Sequence, residues 1–331
     1  MSNTILFTGG GTAGHIFPGL AVAEELQKTM DVGIIWVGSK SGMEEPLVQA
    51  AGLQFTGIPT GKMRRYFSLQ NFFDVFKVLA GVIKSYRICR KYKPVLVFSK
   101  GGYVSVPLVF AAGRRGIPVI THESDTDPGL ATKLNARYAE KICVSFERTR
   151  EYFSETLQRK IAVTGNPVRT EILGGSPQRG RELLGIPGDR KVIFALGGSQ
   201  GAAQINALVR KILPELREKC VVLHQMGKAR YTPSDDPLYR TFGFIGKEMS
   251  DFLAASDLII CRAGANTLAE LSLLGKPAVL IPLMRGAGRG DQVKNARLFA
   301  EHGAAYILEG DDATAENLKG AIREVLENPE Q

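Results

Sequence analysis

The sequence predicts an α/β protein built from two doubly wound parallel-sheet domains that face a cleft. Short β-branched runs alternate with helix-length amphipathic stretches along the 331 residues, a pattern typical of parallel sheets with right-handed crossovers. The alternation restarts after Asn166-Pro167, and each series opens with a strand that runs into glycines, FTGGGTAGH and ALGGSQGA. We therefore expect an N-terminal domain over residues 1–164 and a C-terminal domain over residues 165–331.

In the first series, each predicted strand is a short β-branched run and each predicted helix is amphipathic. The strands are Ile5–Phe7, Gly33–Val37, Val95–Phe98, Pro118–Thr121, Ile142–Ser145 and Ile161–Thr164, and the helices include Phe17–Lys28, Leu69–Lys91 and Gly129–Ala139.

The second series has the same character. Its predicted strands are Val192–Leu196, Val221–His224, Leu258–Cys261, Ala278–Ile281 and Ala305–Leu308, with helices near Ala202–Leu216, Ala265–Leu274 and Gln292–Glu301. Ligands of doubly wound sheets bind beyond the carboxyl ends of the strands, so the glycine turns of two facing domains would surround one cleft.

The composition is that of an ordinary soluble protein, with 44% hydrophobic and 23% charged residues. The N-terminal segment has neither a basic region nor a long apolar run, and no stretch reaches the roughly 20 apolar residues of a membrane-spanning helix. The four cysteines stand far apart without C-x-x-C spacing, which favours buried reduced thiols over disulfides or a zinc site. These features predict a cytosolic protein.

Positive charge is concentrated in one segment. The net charge of the chain is +9, and residues Gly61–Lys93 include nine basic residues and one acid, Asp74, for a local balance of +8. Such a concentration predicts a surface that meets an anionic partner.

The first glycine turn fits the dinucleotide-binding pattern G-x-G-x-x-G through Gly9, Gly11 and Gly14. That reading needs an acidic residue at the end of the second strand, where this chain has Gly38-Ser39-Lys40, so it loses its main support. The glycines would still let backbone N–H groups approach an oxyanion or a sugar.

His15 follows these glycines in the first helical turn. It is either a capping or core imidazole or a base that faces the ligand. We favour the base, because the glycine turn leaves the ring little to pack on and the helix dipole favours the neutral imidazole. His122, His224 and His302 lack metal-ligand spacing and are predicted to be structural or supporting.

The second series carries a predicted nucleotide site. The stretch CRAGANTLAE places Asn266, Thr267 and Glu270 in the first turns of a helix, where Glu270 either accepts hydrogen bonds from both ribose hydroxyls or complements the helix dipole. Ser199 in GGSQG and Arg169 in GNPVR suit a diphosphate. Because no His/Cys cluster is present, we expect arginine and helix ends, rather than a protein-bound metal, to neutralise the phosphates.

Seven stretches of the sequence occur in the order found in one family: GGGTAGHIFPGLA, SKGGYVSVP, HESD with PGLA, GNPVR, GGSQGA, CRAGANTLAE and GDQVKNA. Over residues 4–310 the sequence resembles the MurG family of bacterial cell-wall glycosyltransferases, in its Gram-positive branch. The resemblance implies a GT-B fold of two Rossmann-like domains, with the acceptor in the N-terminal domain and the UDP-sugar in the C-terminal one.

The resemblance also implies site residues. His15 matches the general base, and Tyr103 and Asp125 match acceptor-side positions. The donor-binding positions of the family fall on Thr12, Ala13, Gly14, Arg169, Ser199, Ile245 beside the uracil, Ala265, Asn266, Thr267, Leu268, Ala269, Glu270, and Gln292 near the sugar.

Three features depart from the family pattern. Ala13 replaces the commonest glycine of the first turn and narrows its backbone freedom. Ser124 and Asp125 stand where many members have Gln and Asn. The sequence ends after a predicted helix, Thr314–Leu326, where members usually continue into a further helix.

The implied reaction is inverting transfer of GlcNAc from UDP-GlcNAc to the C4 hydroxyl of MurNAc in undecaprenyl-pyrophosphoryl-MurNAc-pentapeptide. A polyprenyl anchor on the acceptor fits the basic segment, where apolar residues recur at helical spacing: Phe72, Phe76, Leu79 and Ile83, with Asp74, Lys77, Lys84 and Lys91 on the remaining face. Together with Arg64 and Arg65 in an apolar loop, this predicts peripheral attachment to an anionic membrane surface at the cytoplasmic face; the alternative is an ordinary packing helix.

Other functions stay open. Another UDP-sugar-dependent glycolipid glycosyltransferase would share the donor motifs, and a UDP-GlcNAc 2-epimerase would share the two-domain layout. A non-catalytic binder of nucleotide sugars or nucleic acid would leave a complete donor site unexplained. The sequence has no RNA-binding aromatic motif, so no nucleic-acid partner is expected.

Overall fold

The structure is a computed structural model that describes residues 3–61, 69–186, 188–198, 201–284, 286 and 290–328, without the side chains of residues 69–73. The chain forms two compact units, Met1–Arg169 and Thr170–Gln331. Within the described residues, each unit contains one parallel sheet flanked by helices.

The first unit has a seven-stranded sheet of order β3-β2-β1-β4-β5-β6-β7 among its described residues. Alternate residues of β1 face opposite ways, so Leu6 packs with Val97 and Leu108 on one face while Phe7 packs with Trp36 on the other. The strands are β1 (Asn3–Thr8), β2 (Val32–Ser39), β3 (Gln54–Ile58), β4 (Leu96–Ser99), β5 (Val119–Glu123), β6 (Lys141–Val144) and β7 (Ile161–Val163), and the helices are α1 (Ala13–Thr29), α2 (Glu44–Ala50), α3 (Leu69–Tyr92), α4 (Val106–Gly113), α5 (Leu130–Asn135) and α6 (Glu155–Gln158).

The second unit has a six-stranded sheet of order β10-β9-β8-β11-β12-β13 among its described residues. Ile193, Val222 and Ile260 from three strands form its core with Ile205 and Leu318 from two helices. The strands are β8 (Lys191–Leu196), β9 (Cys220–Gln225), β10 (Tyr239–Phe242), β11 (Leu258–Cys261), β12 (Ala278–Leu280) and β13 (Tyr306–Ile307), and the helices are α7 (Pro177–Leu184), α8 (Ala203–Lys219), α9 (Met249–Ala255), α10 (Ala265–Leu273), α11 (Asp291–Glu301) and α12 (Ala315–Glu327).

Strand order reverses at one point in each sheet. In the first unit β1 pairs with β2 on one side and β4 on the other, and in the second unit β8 lies in the same way between β9 and β11. The chain therefore leaves β1 and β4, and likewise β8 and β11, toward opposite faces of the sheet. In doubly wound folds such a reversal, at the carboxyl ends of the strands, is where ligands bind.

All eleven predicted strands are confirmed, with small changes at their ends. Helix α1 begins at Ala13 rather than Phe17, which confirms His15 in its first turn. The prediction of a helix to Ala139 is wrong, because α5 ends at Asn135 and the chain continues in turns, in which Tyr138 N donates to Asn135 O at 3.0 Å. All four cysteines are free; Cys143 is half-buried, the other three are buried, and burial raises the pKa of Cys261 to about 12.

Helix α3 differs from the prediction at Asp74. This residue was predicted on the face that remains beside the apolar one, together with three lysines, but it is buried and its Oδ1 lies 3.1 Å from Lys77 Nζ. A Cβ added at Gly61 would lie 2.3 Å from Asp74 O, so the helix approaches the backbone of the preceding segment through this side. The side chain of Phe72 and the residues Arg64 and Arg65 lie outside the described residues. No described helix is long and apolar enough to span a bilayer.

Candidate active site

The glycine turn after β1 is held by a buried carboxylate. Gly11 N donates to Glu44 Oε1 at 2.8 Å, and the Glu44 side chain is fully buried at the start of α2. A Cβ added at Gly10 would lie 1.9 Å from Glu44 Oε1, so a larger residue there would displace the Glu44 side chain. The N–H of Gly11 is therefore satisfied by the protein itself, and the turn presents a fixed backbone to any ligand.

The imidazole of His15 packs on a second glycine turn, the one that follows β4. A Cβ added at Gly102 would lie 3.0 Å from His15 Cδ2, and one at Gly101 would lie 3.9 Å from His15 Cε1. Both glycines have positive φ, +87° and +76° for Gly101 and Gly102. The expectation that His15 has little to pack on is thus wrong, since a turn 86 residues away supplies the surface. The ring remains half-buried.

Tyr103 joins the same two turns. A Cβ added at Gly11 would lie 2.7 Å from Tyr103 Cε1, so the phenol ring covers the first turn. Burial, followed by the charges of Glu44 and Asp74, raises the pKa of Tyr103. The phenol is therefore protonated at neutral pH and can donate a hydrogen bond. Of the predicted loop residues nearby, Thr12 is exposed and Ala13 and Gly14 are half-buried.

Arg169 and Asp125 also belong to the first unit. Arg169 Cζ lies 5.0 Å from the centroid of the Phe17 ring, so the guanidinium packs against the helix that carries His15. Asp125 is half-buried in the turn after β5, where its backbone N donates to Glu123 Oε1 at 3.1 Å. The first unit thus brings His15, Tyr103 and Arg169 around the amino end of α1.

In the second unit a third glycine turn leads from β8 into α8. A Cβ added at Gly201 would lie 2.1 Å from Met226 O, so the turn requires glycine, and Gly198 and Gly201 both have positive φ. The predicted Ser199 lies outside the described residues. Helix α8 is 17 residues long, and the positive end of its dipole, behind this turn, is suited to a diphosphate.

Helix α10 divides the predicted run 265–270 between two faces. Ala265 and Leu268 are buried in the core, 6% and 1% exposed, so only their backbones could meet a ligand. The other four members are half-buried at the surface: Asn266, Thr267, Ala269 and Glu270. The helix begins directly after β11, at the point where strand order reverses.

Ile245 and Gln292 are tied to neighbouring segments. Ile245 is 4% exposed and its backbone N donates to Gln225 Oε1 at 3.0 Å. Gln292 is in the first turn of α11, and its Oε1 accepts from Leu283 N at 2.9 Å. Its amide nitrogen is the part of the side chain suited to donate to a sugar hydroxyl.

Sequence reasoning missed Glu44 and Arg262, which hold the turns after β1 and β11 in place. Arg262 directly follows β11, and its Nη1 donates to Gln204 Oε1 at 2.9 Å and to Ile281 O at 2.8 Å, which joins the start of α8 to the end of β12. His224, which the sequence predicted to be structural or supporting, lies between Tyr239 Oη at 2.9 Å and Asn206 Oδ1 at 3.0 Å, and burial lowers its pKa to about 4. A charged residue directly after a buried strand was the available signal for Arg262.

The described residues contain no group of three or more His, Cys, Asp and Glu side chains placed to hold a metal ion. Asp125 and Asp127 are two residues apart but are not part of such a group, and Asp127 Oδ1 lies 3.7 Å from Lys133 Nζ.

Comparison with known proteins gives matches over both units. The glycosyltransferase family 28 N-terminal domain matches residues 5–144, and the family 28 C-terminal domain matches residues 192–331. The UDP-N-acetylglucosamine–N-acetylmuramyl-(pentapeptide) pyrophosphoryl-undecaprenol N-acetylglucosamine transferase of Treponema denticola is 47% identical, over 93% of this chain and 84% of that protein. The enzyme of the same name from Clostridium perfringens is 41% identical, over 99% and 91%.

Solved structures agree with these matches. The crystal structure of MurG from Acinetobacter baumannii has a TM-score of 0.72 and 28% identity, covering 98% of this chain and 91% of that one. The UDP-GlcNAc 2-epimerase from Neisseria meningitidis has a TM-score of 0.69 at 15% identity, covering 100% and 92%, a likeness that concerns the fold alone.

Proposed function

We propose a function from one premise, that this chain belongs to the family of the UDP-N-acetylglucosamine–N-acetylmuramyl-(pentapeptide) pyrophosphoryl-undecaprenol N-acetylglucosamine transferases. The fold is that of GT-B glycosyltransferases, with two Rossmann-like parallel-sheet domains. The chain transfers GlcNAc from UDP-GlcNAc to the C4 hydroxyl of MurNAc in undecaprenyl-pyrophosphoryl-MurNAc-pentapeptide. The products are the lipid-linked disaccharide and UDP.

One structural observation carries this proposal. In each unit, some of the residues predicted to meet substrate follow the two strands at which the order of the sheet reverses. His15 follows β1 and Tyr103 follows β4, and in the second unit α8 follows β8 while Glu270 follows β11. Doubly wound sheets bind their ligands at this place, so each unit has its own substrate surface there.

In the first unit, His15 is the general base. Its imidazole takes the proton of the C4 hydroxyl as the oxygen bonds to the anomeric carbon of GlcNAc. The bond from that carbon to the β-phosphate oxygen breaks, UDP leaves, and the anomeric configuration inverts. Tyr103 and Asp125 are suited to orient the acceptor, the phenol as a donor and the carboxylate as an acceptor of hydrogen bonds.

In the second unit, the helix starts receive the nucleotide. The glycine turn before α8, with Ser199, binds the diphosphate and stabilises the charge that builds up on departing UDP. Arg169, the last residue of the first unit, is a further donor-binding residue, because a guanidinium is suited to phosphate oxygens. Glu270 accepts hydrogen bonds from the ribose hydroxyls, and Ile245 packs beside the uracil. Gln292 donates to the sugar.

Helix α3 is the part of the protein that we propose contacts the membrane. Phe76, Leu79 and Ile83, predicted on the apolar face, are 56%, 54% and 55% exposed, so these side chains are not buried in the core. Lys84 and Arg87 line an adjoining groove of about 490 Å³ between α3 and β3. An exposed apolar stripe beside basic side chains fits peripheral attachment to anionic lipid, at the cytoplasmic face where the nucleotide sugar is available.

The activity is tested by measuring UDP release from UDP-GlcNAc with three additions: no acceptor, the lipid-linked MurNAc-pentapeptide, and diacylglycerol. We expect release only with the muramoyl acceptor, together with a disaccharide lipid in the product mixture. Transfer to diacylglycerol instead would identify another glycolipid glycosyltransferase. Conversion of UDP-GlcNAc to its 2-epimer without acceptor would identify an epimerase.

A further inference from the structure

Lys100 is a buried cation at the carboxyl end of β4 that the proposed mechanism does not use. Its side chain is 1% exposed, and its backbone N donates to Thr8 O at 2.8 Å, which fixes the residue between β1 and β4. A Cβ added at Gly9 would lie 3.0 Å from Lys100 Cβ. Burying an ammonium group costs more free energy than burying an apolar side chain of similar volume, so packing alone does not explain a lysine here.

The ammonium group begins a directed chain of hydrogen bonds. Lys100 Nζ donates to Ser124 Oγ, and Ser124 Oγ donates to Asn166 Oδ1 at 2.8 Å. The direction is fixed because an ammonium group has only donors. Beside this chain, His122 Nε2 lies 2.8 Å from Gly165 O. One cation thus organises both the turn after β5 and the segment that follows β7.

Lys100 also balances two carboxylates. Glu123 accepts from the backbone N of Ser124 at 2.9 Å, Asp125 at 3.1 Å and Gly129 at 3.0 Å, so its charge is fixed inside the turn. Burial lowers the pKa of Lys100 to about 8, and the charges of Glu123 and Asp125 act against that shift. His122 stays neutral, because burial and then the charge of Lys100 lower its pKa to about 3. Removing the ammonium group would take away a positive charge that interacts with both carboxylates.

Three segments with predicted site residues meet at this lysine. Asp125 lies in the turn that Glu123 and Ser124 hold. Arg169 ends the segment in which Asn166 accepts from Ser124. His15 packs on Gly101 and Gly102, the two residues that directly follow Lys100.

We propose that Lys100 is a positioning residue for the transfer reaction, an inference that rests on the proposed function. Its buried positive charge holds the turn of Asp125 and, through Ser124 and Asn166, the segment of Arg169 in the arrangement that the substrates need. Lys100 acts through these residues and does not itself touch the substrates.

The test is a double-mutant cycle on GlcNAc transfer by the whole chain. We expect Lys100→Met to lower kcat/KM for the lipid-linked acceptor about tenfold. In the Lys100→Met background, Asp125→Asn should restore kcat/KM about threefold or more, because it removes one of the two carboxylate charges that interact with Lys100 and keeps a side-chain oxygen that accepts hydrogen bonds. The single Asp125→Asn variant completes the cycle.

The pH profile separates positioning from mere support of the fold. In the wild type, kcat/KM should fall as pH rises through about 8, where Lys100 loses its proton, and Lys100→Met should lack this alkaline limb. Lys276→Met is the matched control, since Lys276 Nζ is also bonded inside the protein, to Ala254 O at 2.7 Å and Ser256 O at 2.8 Å. That variant should keep the wild-type pH profile.

Two results together would overturn the role of Lys100. In the first, the double variant loses kcat/KM by the product of the losses in Lys100→Met and Asp125→Asn; in the second, Lys100→Met keeps the alkaline limb of the pH profile. Should Lys100→Met not fold, Ser124→Ala interrupts the same chain of hydrogen bonds while keeping the charge. It should lower kcat/KM and retain the alkaline limb, and wild-type kinetics in Ser124→Ala would also overturn the proposal. A wild-type chain that transfers no GlcNAc overturns the proposed function and the role of Lys100 with it; an active wild type with an unaltered Lys100→Met overturns only the latter.

Discussion

His15 occupies a half-buried site whose walls are the backbones of two glycine turns. Replacing it should therefore lower the rate of the reaction without unfolding the protein. We expect His15→Ala to lower kcat about 10²- to 10⁴-fold, because the acceptor hydroxyl loses its base. His302→Ala is the control, since His302 is exposed and its Nδ1 lies 2.7 Å from Leu298 O at the end of α11. Steady-state kinetics of both variants, with circular dichroism for the fold, measure the effect. A kcat of His15→Ala within threefold of wild type would show that His15 is not the general base.

Gly102 limits where that imidazole can lie. Gly102→Ala places a methyl group 2.3 Å from Gly10 O and 3.0 Å from His15 Cδ2, at a residue with φ of +76°. Gly116→Ala is the matched control, because Gly116 has a similar φ of +69° and a Cβ there meets nothing within 4 Å. The control should lose about 1 kcal/mol of unfolding free energy from backbone strain alone. Gly102→Ala should lose about 1–3 kcal/mol more and also lower kcat; equal losses in urea unfolding would contradict the contact.

Lys100 predicts a pH dependence of stability that is independent of the enzymatic assay. Its pKa is about 8 in the folded chain against 10.5 when unfolded, so between these values the unfolded chain binds more protons and stability rises with pH. Below about pH 8 both states are protonated and the burial cost is constant. From pH 8 to 10.5 the wild type should therefore gain on the order of 3 kcal/mol relative to Lys100→Met. Parallel stability curves of the two proteins would contradict a buried ammonium group.

The sequence motifs located the glycine turns after β1 and β4 but not the side chains that hold them. GGGTAGH and SKGGY contain glycines at which a positive φ or a close neighbour disfavours a Cβ, and the run of glycines is visible in the local sequence. Glu44 bonds Gly11 across 33 positions, and Arg262 bonds Gln204 across 58. Such pairings depend on the order of strands in the sheet. No local sequence pattern predicts which distant carboxylate or guanidinium will form these hydrogen bonds.

At the scale of elements, the helical periodicity of α3 predicted an apolar face but could not say which face packs. The structure turns Phe76, Leu79 and Ile83 outward and buries Asp74, Ser85 and Cys89. Close approach through Gly81, where a Cβ would lie 2.3 Å from Pro59 O, decides this orientation. The side chains of Phe76, Leu79 and Ile83 therefore lie at the surface of the first unit.

Exposed apolar side chains on α3 should drive membrane attachment. The double variant Phe76→Ser, Leu79→Ser should reduce sedimentation with vesicles of anionic lipid several-fold, because it removes two apolar side chains from the stripe. Leu183→Ser on α7 is the control, since Leu183 is 58% exposed on the second unit. Binding that is equal for all three proteins, or that ignores the content of anionic lipid, would reject the stripe as the attachment surface.

Strand prediction failed at two places, and both are edges. The missed strands β3 and β10 are the outermost strands on one side of their sheets. Their sequences, QFTGI and YRTF, mix polar and apolar residues, because an edge strand is only partly covered. Central strands such as β8 are buried on both faces and read as continuous apolar runs, so these were found.

At the scale of the whole molecule, two sheets with the same kind of strand-order reversal follow from two similar series in the sequence. The glycine turn after the first strand of each series was the sign of this repetition, and both turns lie where the strand order reverses. The sequence suggested a domain boundary between residues 164 and 165, whereas the compact units divide between Arg169 and Thr170. The difference matters because Arg169, which the sequence assigned to the C-terminal domain, belongs to the first unit.

That difference gives a test of the role of Arg169. We expect the fragments 165–331 and 170–331 both to fold, since the second unit has its own core, and both to bind UDP. The longer fragment retains Arg169. A hydrogen bond from a charged donor contributes about 1.5–3 kcal/mol, so fragment 165–331 should bind UDP about 10- to 100-fold more tightly by calorimetry. Arg169→Gln in fragment 165–331 should abolish that advantage. Equal affinities of the two fragments, with circular dichroism showing both folded, would mean that Arg169 serves the packing against Phe17 rather than the diphosphate.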